Sequence, residues 1–457
     1  MLVRRWIVSS VHLLIAVTLL ASFAAAQSPP LRLQNDDEED AALDCFECSR
    51  GELLTFDMRT GEVIRRTPPE AVPDVLRLLS ESGQGALVPP DDLPAPKDFG
   101  FLSEVHNTTI GDYPKHVKIF STYTDEHGEQ ETASCSGTMI DPFHVLTAGH
   151  CIYMHEDGDG DDVDAYAHTV EVHPGFDEWF SPFGKANAVQ LHAYSGWTQS
   201  EDFDWDIAVI DLDWPIGALS GWRGYGSDPN CGWYTSGYWE HFGYPGDVFS
   251  NGLIMYTQSG QFDDCESSGN EVSFDREMYK GQSGGGCVRD GGLYTVRSNK
   301  TWVGPGPDDY DTYDVRIINT MHNDITYWID SDTPGTLDLM PLELIVTEDI
   351  VIGNYFTFDF LLHNYSSVTA TGSWQVGVFL SNDNIIDASD MFIGSAAVDG
   401  PIGSKGTVQK HLGFTVPCDV NSQPYFMVVH QDCIDAHSGN NGTILEHAGL
   451  DHVTSDS

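Results

Sequence analysis

The sequence predicts an all-β protein with two folded modules, on the basis of two β-rich patterns. Between about residues 112 and 333, short runs of β-branched and aromatic residues alternate with turns of Gly, Pro and Asp, as at 116–120 and 208–212. Residues 319–329 have apolar side chains near helical spacing, which predicts a helix at the end of this module. After a linker at 332–335, longer runs with partial period-two alternation predict a β-sandwich. These runs lie at 342–346, 355–362 and 374–380.

The N-terminus has the order of regions that is typical of a secretory signal peptide. Arg4 and Arg5 precede an apolar run at 11–23, and three alanines follow before Gln27. We therefore expect residues 1–26 to be removed and the protein to be secreted. The apolar run is too short for a membrane anchor and no later stretch reaches spanning length, so no membrane span is expected.

The net charge argues against one class of partner. The chain has 70 Asp and Glu residues against 21 Lys and Arg residues, a formal charge of −49. Binding to nucleic acid through a basic face is therefore not expected. Such an acidic surface suits a salty or calcium-containing exterior, where counterions screen the self-repulsion.

The most informative stretch is Gly-Gln-Ser-Gly-Gly-Gly-Cys at 281–287. It predicts a sharp turn that presents Ser283 as a nucleophile, because the glycines on both sides permit a tight backbone. The N–H groups of Gly281 and Ser283 can then face one point and form an oxyanion hole. A serine hydroxyl is a weak nucleophile at neutral pH, so it also requires a base and a carboxylate that orients the base.

Two upstream motifs supply these partners. His150 follows Leu-Thr-Ala-Gly, whose small residues let the imidazole press against the core. Asp206 abuts the apolar run Ile-Ala-Val, and a charge at the mouth of a buried strand is costly unless it is paired. The Nδ1–H group of His150 is the partner that the chemistry requires. We choose Asp206 over Asp202 and Asp204 because it directly adjoins the apolar run.

In the order His, Asp, Ser, these motifs resemble the trypsin-like serine proteases of the chymotrypsin fold. The sequence Gly-Tyr-Pro-Gly-Asp at 243–247, with Gly-Gln-Ser-Gly, is most similar to the glutamyl endopeptidase branch. The resemblance covers about residues 108–333 and implies a double β-barrel that hydrolyses peptide bonds in proteins or peptides. In this mechanism Ser283 attacks the carbonyl to form an acyl-enzyme, His150 shuttles the proton and Asp206 holds the imidazole tautomer.

The resemblance also bears on residues 27–107, which are rich in proline and contain an acidic run at 36–40. In an exported protease such a stretch is typical of a propeptide, and the alternative is a disordered spacer; we favour the propeptide. The sequence Thr-Ile-Gly-Asp at 109–112 resembles the start of the mature chain in this family. We therefore expect a zymogen whose new α-amino group acts in activation.

Residues 334–457 are predicted to form the separate β-sandwich and a tail. The stretch 378–394 resembles the immunoglobulin-like adhesion domains called CARDB in bacterial exported proteins. No catalytic constellation is present there, so we expect this module to bind a surface or matrix ligand, or to stabilise the protein. An alternative for the whole chain is a catalytically silent, protease-like adhesion protein. The intact set of His150, Asp206 and Ser283 favours the enzyme.

Nine cysteines in an exported chain predict disulfides, and the odd number leaves at least one without an internal partner. We predict the pair Cys135–Cys151, because the strand with Cys135 is expected to lie beside the turn with the histidine. Cys418 and Cys433 are a second predicted pair. Three further cysteines cannot all pair among themselves, and their pairing stays open: Cys231, Cys265 and Cys287.

The resemblance further implies a site for the substrate side chain. Residues 293–299 align with the strand on which the glutamyl branch carries a histidine that contacts the substrate carboxylate, and Arg297 falls at that position. A guanidinium binds a carboxylate with two parallel hydrogen bonds, which predicts a preference for an acidic residue on the acyl side of the cut bond. Met278 stands where the branch offers a hydroxyl, and Glu277 could neutralise Arg297. The alternative, that Arg297 pairs with a surface carboxylate, stays open.

No cofactor or catalytic metal is expected. Alternate carboxylates at 157–164 can surround a hard cation, but Asp162 and His168 stand where a calcium-binding EF-hand loop requires Gly and Glu. We favour a solvated surface insert there. A structural calcium ion is the alternative for this loop and for a second acidic group: Asp383, Asp387 and Asp390.

Overall fold

The computed structural model describes most of the chain between residues 52 and 454. The described residues are 52–66, 101–125, 127–156, 162–246, 252–266, 269–275, 279–303, 310–346, 350–351, 353–381, 391–416, 426–432, 442–445 and 453–454. Several sequence predictions fall outside them: the signal peptide, most of the acidic loop at 157–164, and the residues Glu277, Met278, Asp383, Asp387, Asp390, Cys418 and Cys433.

Short strands fill the region between residues 53 and 316, and the sequence predicts those that follow residue 112. They are β1 (Leu53–Asp57), β2 (Glu62–Arg66), β3 (Ser103–Glu104), β4 (His116–Thr124), β5 (Gln130–Asp141), β6 (His144–Thr147), β7 (Tyr153–Glu156), β8 (Asp162–Tyr166), β9 (Thr169–Pro174), β10 (Ala186–Tyr194), β11 (Ala208–Leu212), β12 (Trp239–Gly243), β13 (Tyr256–Gly260), β14 (Asp264–Cys265), β15 (Glu271–Phe274), β16 (Cys287–Arg289), β17 (Gly292–Leu293), β18 (Thr295–Val303) and β19 (Tyr310–Arg316).

The helices of the described residues are few and mostly short. They are α1 (Ser195–Ser200), α2 (Gly217–Ser220), α3 (Cys231–Thr235) and α4 (Asn319–Asp332), with 3₁₀ turns at Tyr113–Lys115, Gly149–Cys151 and Phe203–Trp205. The predicted helix is confirmed as α4, in which Met321, Ile325 and Trp328 are buried at helical spacing. Within the described ranges, no helix has the length and apolar character needed to cross a membrane.

Six antiparallel strands close into a barrel. Their order is β11-β6-β5-β4-β9-β10, and the barrel closes because β10 also pairs with β11. Side chains alternate between the two faces of a strand, so Val117 and Ile119 of β4 both enter the core, where they join Leu146 of β6. The all-β class and the first of the two predicted barrels are thus confirmed.

Two smaller sheets follow the barrel. Their strand orders are β17-β16-β12-β13-β3 and β14-β15-β19-β18. Trp239 of the first sheet and Val272 and Phe274 of the second belong to one buried cluster. The two sheets therefore share a cluster of their own, while Leu293 and Val296 of these sheets belong to the same core as the barrel.

The C-terminal part contains further strands, which agree with the β-rich runs of the sequence. They are β20 (Leu339–Val346), β21 (Ile350–Val351), β22 (Tyr355–Asn364), β23 (Ser373–Ser381), β24 (Met391–Asp399), β25 (Thr407–Thr415), β26 (Phe426–Asp432), β27 (Gly442–Leu445) and β28 (Val453–Thr454). Phe358 and Phe360 of the sheet β20-β22-β25 share one core with Val376 and Val378 of the sheet β24-β23-β26-β27. Two sheets around one core agree with a sandwich, while its classification as an immunoglobulin-like CARDB domain stays a prediction.

The N-terminal stretch 27–107 contains structure that the sequence did not predict. Strands β1 and β2 form an antiparallel hairpin, and β1 pairs with β10, so the hairpin extends the sheet of the barrel. Leu53 belongs to the core of the barrel. The apolar residues of the hairpin are too few to form a core of their own, and they are buried because the barrel supplies the rest.

A buried histidine between two carboxylates lies where the C-terminal module contacts the barrel. His144 Nδ1 lies 2.8 Å from Asp141 Oδ1, and Nε2 lies 3.2 Å from Asp211 Oδ1. Lys405 of the C-terminal module reaches the same cluster, with Nζ 3.7 Å from Asp141 Oδ2. Burial opposes the charged imidazole, but the two carboxylates outweigh burial and raise the pKa of His144 to about 10.

We expect His144 to make the stability of the protein depend on pH. Because its folded pKa of about 10 exceeds its ordinary value of 6.5, its contribution is fully present below pH 6.5 and is lost as the pH rises towards 10. His144→Gln should therefore lower the free energy of unfolding by a few kcal/mol near pH 6 and by much less near pH 10. Urea unfolding at several pH values measures this difference. A difference that stays constant over the range contradicts the ionic explanation.

The predicted disulfide Cys135–Cys151 is present and joins β5 to the 3₁₀ turn that contains the candidate histidine. A second disulfide joins Cys231 to Cys265, and Cys287 is the free cysteine of the described residues, buried on β16. The structure thus resolves the pairing that the sequence left open. The thiol of Cys287 is not poised for reaction, because burial and the charge of Asp314 raise its pKa well above the usual range.

Removal of the first disulfide should lower both stability and activity. The two cysteines are 16 residues apart in the chain, and for a loop of this length Cys135→Ser/Cys151→Ser should lower the free energy of unfolding by about 3 kcal/mol. Replacement of Cys231 and Cys265 by Ser is the matched control, since that bond lies far from the histidine turn in sequence. Denaturant unfolding and turnover at low temperature separate the two effects. Equal turnover of both folded variants contradicts a role of the first bond in holding the histidine.

Candidate active site

The turn at 281–287 has a backbone conformation that favours glycine. Gly281 and Gly284 have φ angles of +91° and +81°. A Cβ atom on Gly281 would lie 2.5 Å from the carbonyl oxygen of Tyr244, and one on Gly284 would overlap the hydroxyl of Thr147. Because Thr147 lies three residues before His150, the close approach of Gly284 places the serine turn against the histidine segment.

Two backbone donors of this turn are left unused. The N–H groups of Gln282, Gly284 and Gly285 donate to carbonyl oxygens at 2.8 to 3.1 Å. Among the described residues, the N–H groups of Gly281 and Ser283 have no hydrogen-bond partner. Buried backbone donors are nearly always paired, so two free N–H groups on either side of one residue require a reason. Binding an oxyanion is such a reason, and these are the two donors that the sequence predicts.

His150 and Asp206 form a close, directed contact. The ring Nδ1 of His150 lies 2.8 Å from Asp206 Oδ2, and the backbone N–H of His150 donates to Asp206 Oδ1 at 2.8 Å. Asp206 is fully buried at the entrance of β11, so it is held in place by its hydrogen bonds. A carboxylate on Nδ1 keeps the proton there and leaves Nε2 as the atom that can accept one.

Ser298 and Trp197 complete this arrangement, and sequence analysis missed both. The hydroxyl of Ser298 on β18 donates to Asp206 Oδ2 at 2.8 Å. The indole of Trp197 on α1 meets the ring of His150 edge to face, with ring centres 6.1 Å apart. Ser298 directly follows Arg297, so the alignment of 293–299 with the family was the signal that could have found it.

Ser298→Ala should impair catalysis without unfolding the protein. A hydrogen bond to a charged group contributes about 1.5–3 kcal/mol, so we expect turnover to fall about 10- to 100-fold as Asp206 loses one of its donors. Ser298→Thr keeps the hydroxyl and is the matched control. If Ser298 only packs, Ser298→Ala changes the melting temperature and leaves the pH profile of turnover unchanged.

Ser136 connects the serine turn to the barrel. Its N–H donates to the carbonyl oxygen of Ser283 at 2.8 Å, and its hydroxyl donates to the carbonyl oxygen of Gly281 at 2.7 Å. The same hydroxyl accepts the N–H of Tyr244 at 2.9 Å. Ser136 on β5 thus holds the serine turn, which precedes β16 of the smaller sheets, against the barrel that contains His150.

The last contact of the predicted triad is the one between Ser283 and His150. No hydrogen bond of the described residues joins Ser283 Oγ to His150 Nε2. Catalytic hydrogen bonds of this type are often long in the absence of substrate and tighten when it binds. Ser283 itself is nearly buried, with 5% of its surface exposed.

Arg297 was expected to contact either a substrate carboxylate or a surface carboxylate, and its surroundings differ from both expectations. Its side chain is fully buried, its Nε donates to the equally buried carboxylate of Asp314, and its guanidinium lies 4.3 Å from the centre of the Phe274 ring. The partner is therefore a buried carboxylate and not a surface one. Among the described residues Nη1 of Arg297 has no hydrogen-bond partner, so a substrate carboxylate would have to reach this donor of a guanidinium whose charge Asp314 already balances.

The main chain of Arg297 nevertheless borders the serine turn. Its N–H donates to the carbonyl oxygen of Gly285 and its carbonyl oxygen accepts the N–H of Gly284, both at 2.8 Å. Its charge also acts on a neighbour, since burial and Arg297 together lower the pKa of His241 well below its usual range. The site behind the serine therefore contains one ion pair and a neutral imidazole.

Two clusters of the described residues have the donor atoms for a metal ion. The first consists of His150 with Cys135 and Cys151, whose sulfurs are joined in a disulfide and cannot act as thiolates. The second consists of His144, Asp211 and Asp332. There the charged imidazole of His144 already compensates the carboxylates, so the residues do not require a cation.

Sequence comparisons relate part of the chain to known proteases. Residues 105–325, just under half of the chain, match the family model described as Trypsin. The chain is 25% identical over 231 residues to an extracellular metalloprotease of Bacillus subtilis, which covers 50% of this chain and 67% of the relative. It is 31% identical over 182 residues to a glutamyl endopeptidase of Bacillus licheniformis, which covers 40% of this chain and 51% of the relative. The chain thus spans about two thirds and about half of these two relatives.

Two solved protease structures are similar to about half of the chain. A Glu endopeptidase in complex with MPD is 23% identical, with 50% of this chain and 95% of that chain covered and a TM-score of 0.40. The protease Anisep from Arthrobacter nicotinovorans is 21% identical, with 47% and 93% covered and a TM-score of 0.38.

Proposed function

We propose that the chain is a secreted serine endopeptidase whose catalytic domain is formed by residues 105–325, which match the family model described as Trypsin. Ser283 attacks the carbonyl of a peptide bond, and His150 accepts the serine proton on Nε2 and later donates it to the leaving amine. Asp206 holds the imidazole in the required tautomer and stabilises its charged form. The N–H groups of Gly281 and Ser283 bind the oxyanion of the tetrahedral intermediate.

The pair of unused N–H groups is the observation that carries this proposal. They lie on either side of Gln282, whose own N–H is bonded, and they belong to a turn that is tied to the barrel through Ser136. A turn with only a structural role has no reason to leave two nearly buried donors without partners. The alternative, a protease-like scaffold without activity, does not require them.

A fluorophosphonate probe tests the proposal directly. Labelling of the processed protein at Ser283, with loss of peptide hydrolysis, is expected. Because one relative is named a metalloprotease, the same assay includes a chelator such as 1,10-phenanthroline, which should leave hydrolysis unchanged. Hydrolysis that resists the probe and disappears with the chelator contradicts the serine mechanism. A protein that neither reacts nor hydrolyses favours the adhesion scaffold.

We propose in addition that the enzyme prefers an acidic residue on the acyl side of the cut bond. The support is the 31% identity to a glutamyl endopeptidase and the position of Arg297, whose main chain binds two glycines of the serine turn. Because Asp314 already pairs with Arg297, a substrate carboxylate has to compete for the guanidinium. We therefore expect the preference to be moderate.

A pair of variants separates recognition from packing. If Arg297 recognises the carboxylate, Arg297→Gln should lower kcat/KM about 10- to 100-fold for a peptide with Glu before the cut bond and far less for one with Leu. Asp314→Asn removes the competing charge. It should raise the ratio of kcat/KM for the Glu peptide to kcat/KM for the Leu peptide. Equal losses for both peptides in both variants indicate that the ion pair only supports the fold, and cleavage after Lys or Arg rejects the acidic preference.

An extracellular location is supported by three observations. The N-terminus has the regions of a signal peptide, the described residues contain two disulfides, and one relative is named extracellular. Sequencing of the N-terminus of the protein in the culture medium tests this. It also identifies the activation cut, which is expected before residue 109.

A further inference from the structure

One edge of strand β10 is completed by a segment of the predicted propeptide. Strand β9 pairs with β10 only at Ala186 and Asn187. Beyond this point β10 pairs with β1 instead, through five consecutive residue pairs from Asp57 with Gln190 to Leu53 with Tyr194. Without β1, this part of β10 would have unpaired N–H and C=O groups along one edge. The barrel therefore has an edge that fits one more strand.

The contacts of β1 are those of an internal strand. Leu53, Leu54 and Thr55 are each at most 3% exposed. Thr55 Oγ1 lies 2.8 Å from Nδ1 of the buried His192, and the ring of Phe56 stacks on Tyr166 with centres 4.7 Å apart. Removing β1 would expose this apolar surface and leave one nitrogen of His192 without its partner. A segment that is discarded on activation has no need for such a fit.

The hairpin also reaches the wall of the candidate active site. The N–H of Glu52 donates to Ser195 Oγ at 2.8 Å, and the N–H of Ser195 donates to the carbonyl oxygen of Glu52 at 3.0 Å. Ser195 is the first residue of α1, which carries Trp197 against His150. In the described ranges, no hydrogen bond or ion pair joins residues 52–66 to His150 or Ser283. The hairpin thus supports α1, which carries Trp197, and is bonded to the histidine side of the site through Ser195.

We propose that residues 52–66 are a retained strand partner of the catalytic domain. When the chain is cut between residues 66 and 109, the hairpin stays bound at the edge of β10 and keeps Trp197 in place beside His150. The binding surface is formed by residues 190–195, and its occupant is this segment of the same chain. The stretch 27–107 then has two roles, because the part after the hairpin contains the cut and the hairpin itself becomes a noncovalent subunit. The effect on turnover rests on the proposed function, whereas the retention does not.

A designed cut tests retention without relying on the protein's own activity. A recognition sequence for a site-specific protease is inserted after Gly85 in the full chain carrying Ser283→Ala, and the purified protein is cleaved. We expect the N-terminal fragment to elute with the fragment that contains residues 86–457 in native gel filtration, and to separate from it in denaturant. Separate elution under native conditions overturns the proposal.

Two charge substitutions identify the hairpin as the contact. Leu53→Asp places a carboxylate in the core of the barrel and should release the cut fragment. Val63→Asp, on the outer strand and 41% exposed, is the matched control and should leave the fragment bound. If the Leu53→Asp fragment also stays bound, another part of the N-terminal stretch makes the contact and the proposal is wrong.

The link to His150 has its own readout. With Ser283 intact, cut Leu53→Asp should lose about tenfold or more in kcat while cut Val63→Asp keeps the value of the uncut protein, because small displacements beside a catalytic group have large effects on rate. Leu53→Ala serves as a milder variant if Leu53→Asp does not fold before the cut. If the Leu53→Asp fragment is released and kcat stays unchanged, the retention of the unsubstituted hairpin stands, but its role in placing Trp197 is wrong.

Discussion

Ser283→Ala is expected to abolish peptide hydrolysis, with kcat lower by about 10⁴ to 10⁶-fold. The hydroxyl is the proposed nucleophile, and its removal leaves only the oxyanion donors and substrate binding. His150→Ala should have a similarly large effect. Since the two residues act as a unit, the double variant should be little worse than either single one. Measurement of kcat for the purified, processed parent and for each variant tests this prediction.

The fold provides the control for this prediction. The Ser283 side chain is small, so its loss opens little space, and the melting temperature of Ser283→Ala should equal that of the parent. The fluorophosphonate probe should no longer label the variant. If Ser283→Ala or His150→Ala keeps more than about a tenth of the parent activity, the triad assignment is wrong, because a residual rate of that size requires another nucleophile or base.

Asp206→Asn is expected to lower kcat about 10⁴-fold while the protein stays folded. Asp206 accepts the backbone N–H of His150 and the hydroxyl of Ser298 in addition to its contact with Nδ1. An amide in its place presents an NH₂ group to the ring, which favours the tautomer with the proton on Nε2. That nitrogen then cannot accept the proton of Ser283. Turnover over a range of pH, with circular dichroism as the test of folding, measures the effect.

Asp204→Asn is the matched control for Asp206→Asn. Asp204 lies two residues earlier and accepts the N–H of Asn270 at 2.6 Å, far from the ring contact of His150. We expect its amide variant to keep turnover within a few-fold of the parent. A large loss in Asp204→Asn with an active Asp206→Asn would reverse the choice between these carboxylates.

The residues of the site differ in how far their roles could be predicted from sequence. Glycines at 281 and 284 indicate a turn by themselves, since their positive φ angles disfavour other residues. The adjacency of Asp206 to a buried strand and of His150 to small residues is also a local pattern. The support from Ser298 was missed because it connects residues 92 positions apart, and a lone serine on a strand has no local signal.

The charged groups were the least predictable part. Arg297 was assigned to substrate or to a surface carboxylate, and its partner is the buried Asp314 on the neighbouring strand. Pairing of a charge depends on which carboxylate the sheet register brings opposite to it, and register results from the packing of the whole core. The same holds for His144, whose charge is stabilised by Asp141, three residues earlier at the end of β5, and by Asp211 from another strand.

The sequence by itself determined the all-β class, the helix α4, the disulfide Cys135–Cys151 and the candidate residues His150, Asp206 and Ser283, because each depends on short-range spacing or on residue chemistry. Only the tertiary structure decided the pairing of Cys231 with Cys265, the burial of Arg297 and the insertion of residues 52–66 into the barrel sheet. The contact of Thr55 with His192 spans 137 residues. A short apolar run such as 53–56 acquires its place from an open strand edge elsewhere in the chain, and no local pattern specifies that edge.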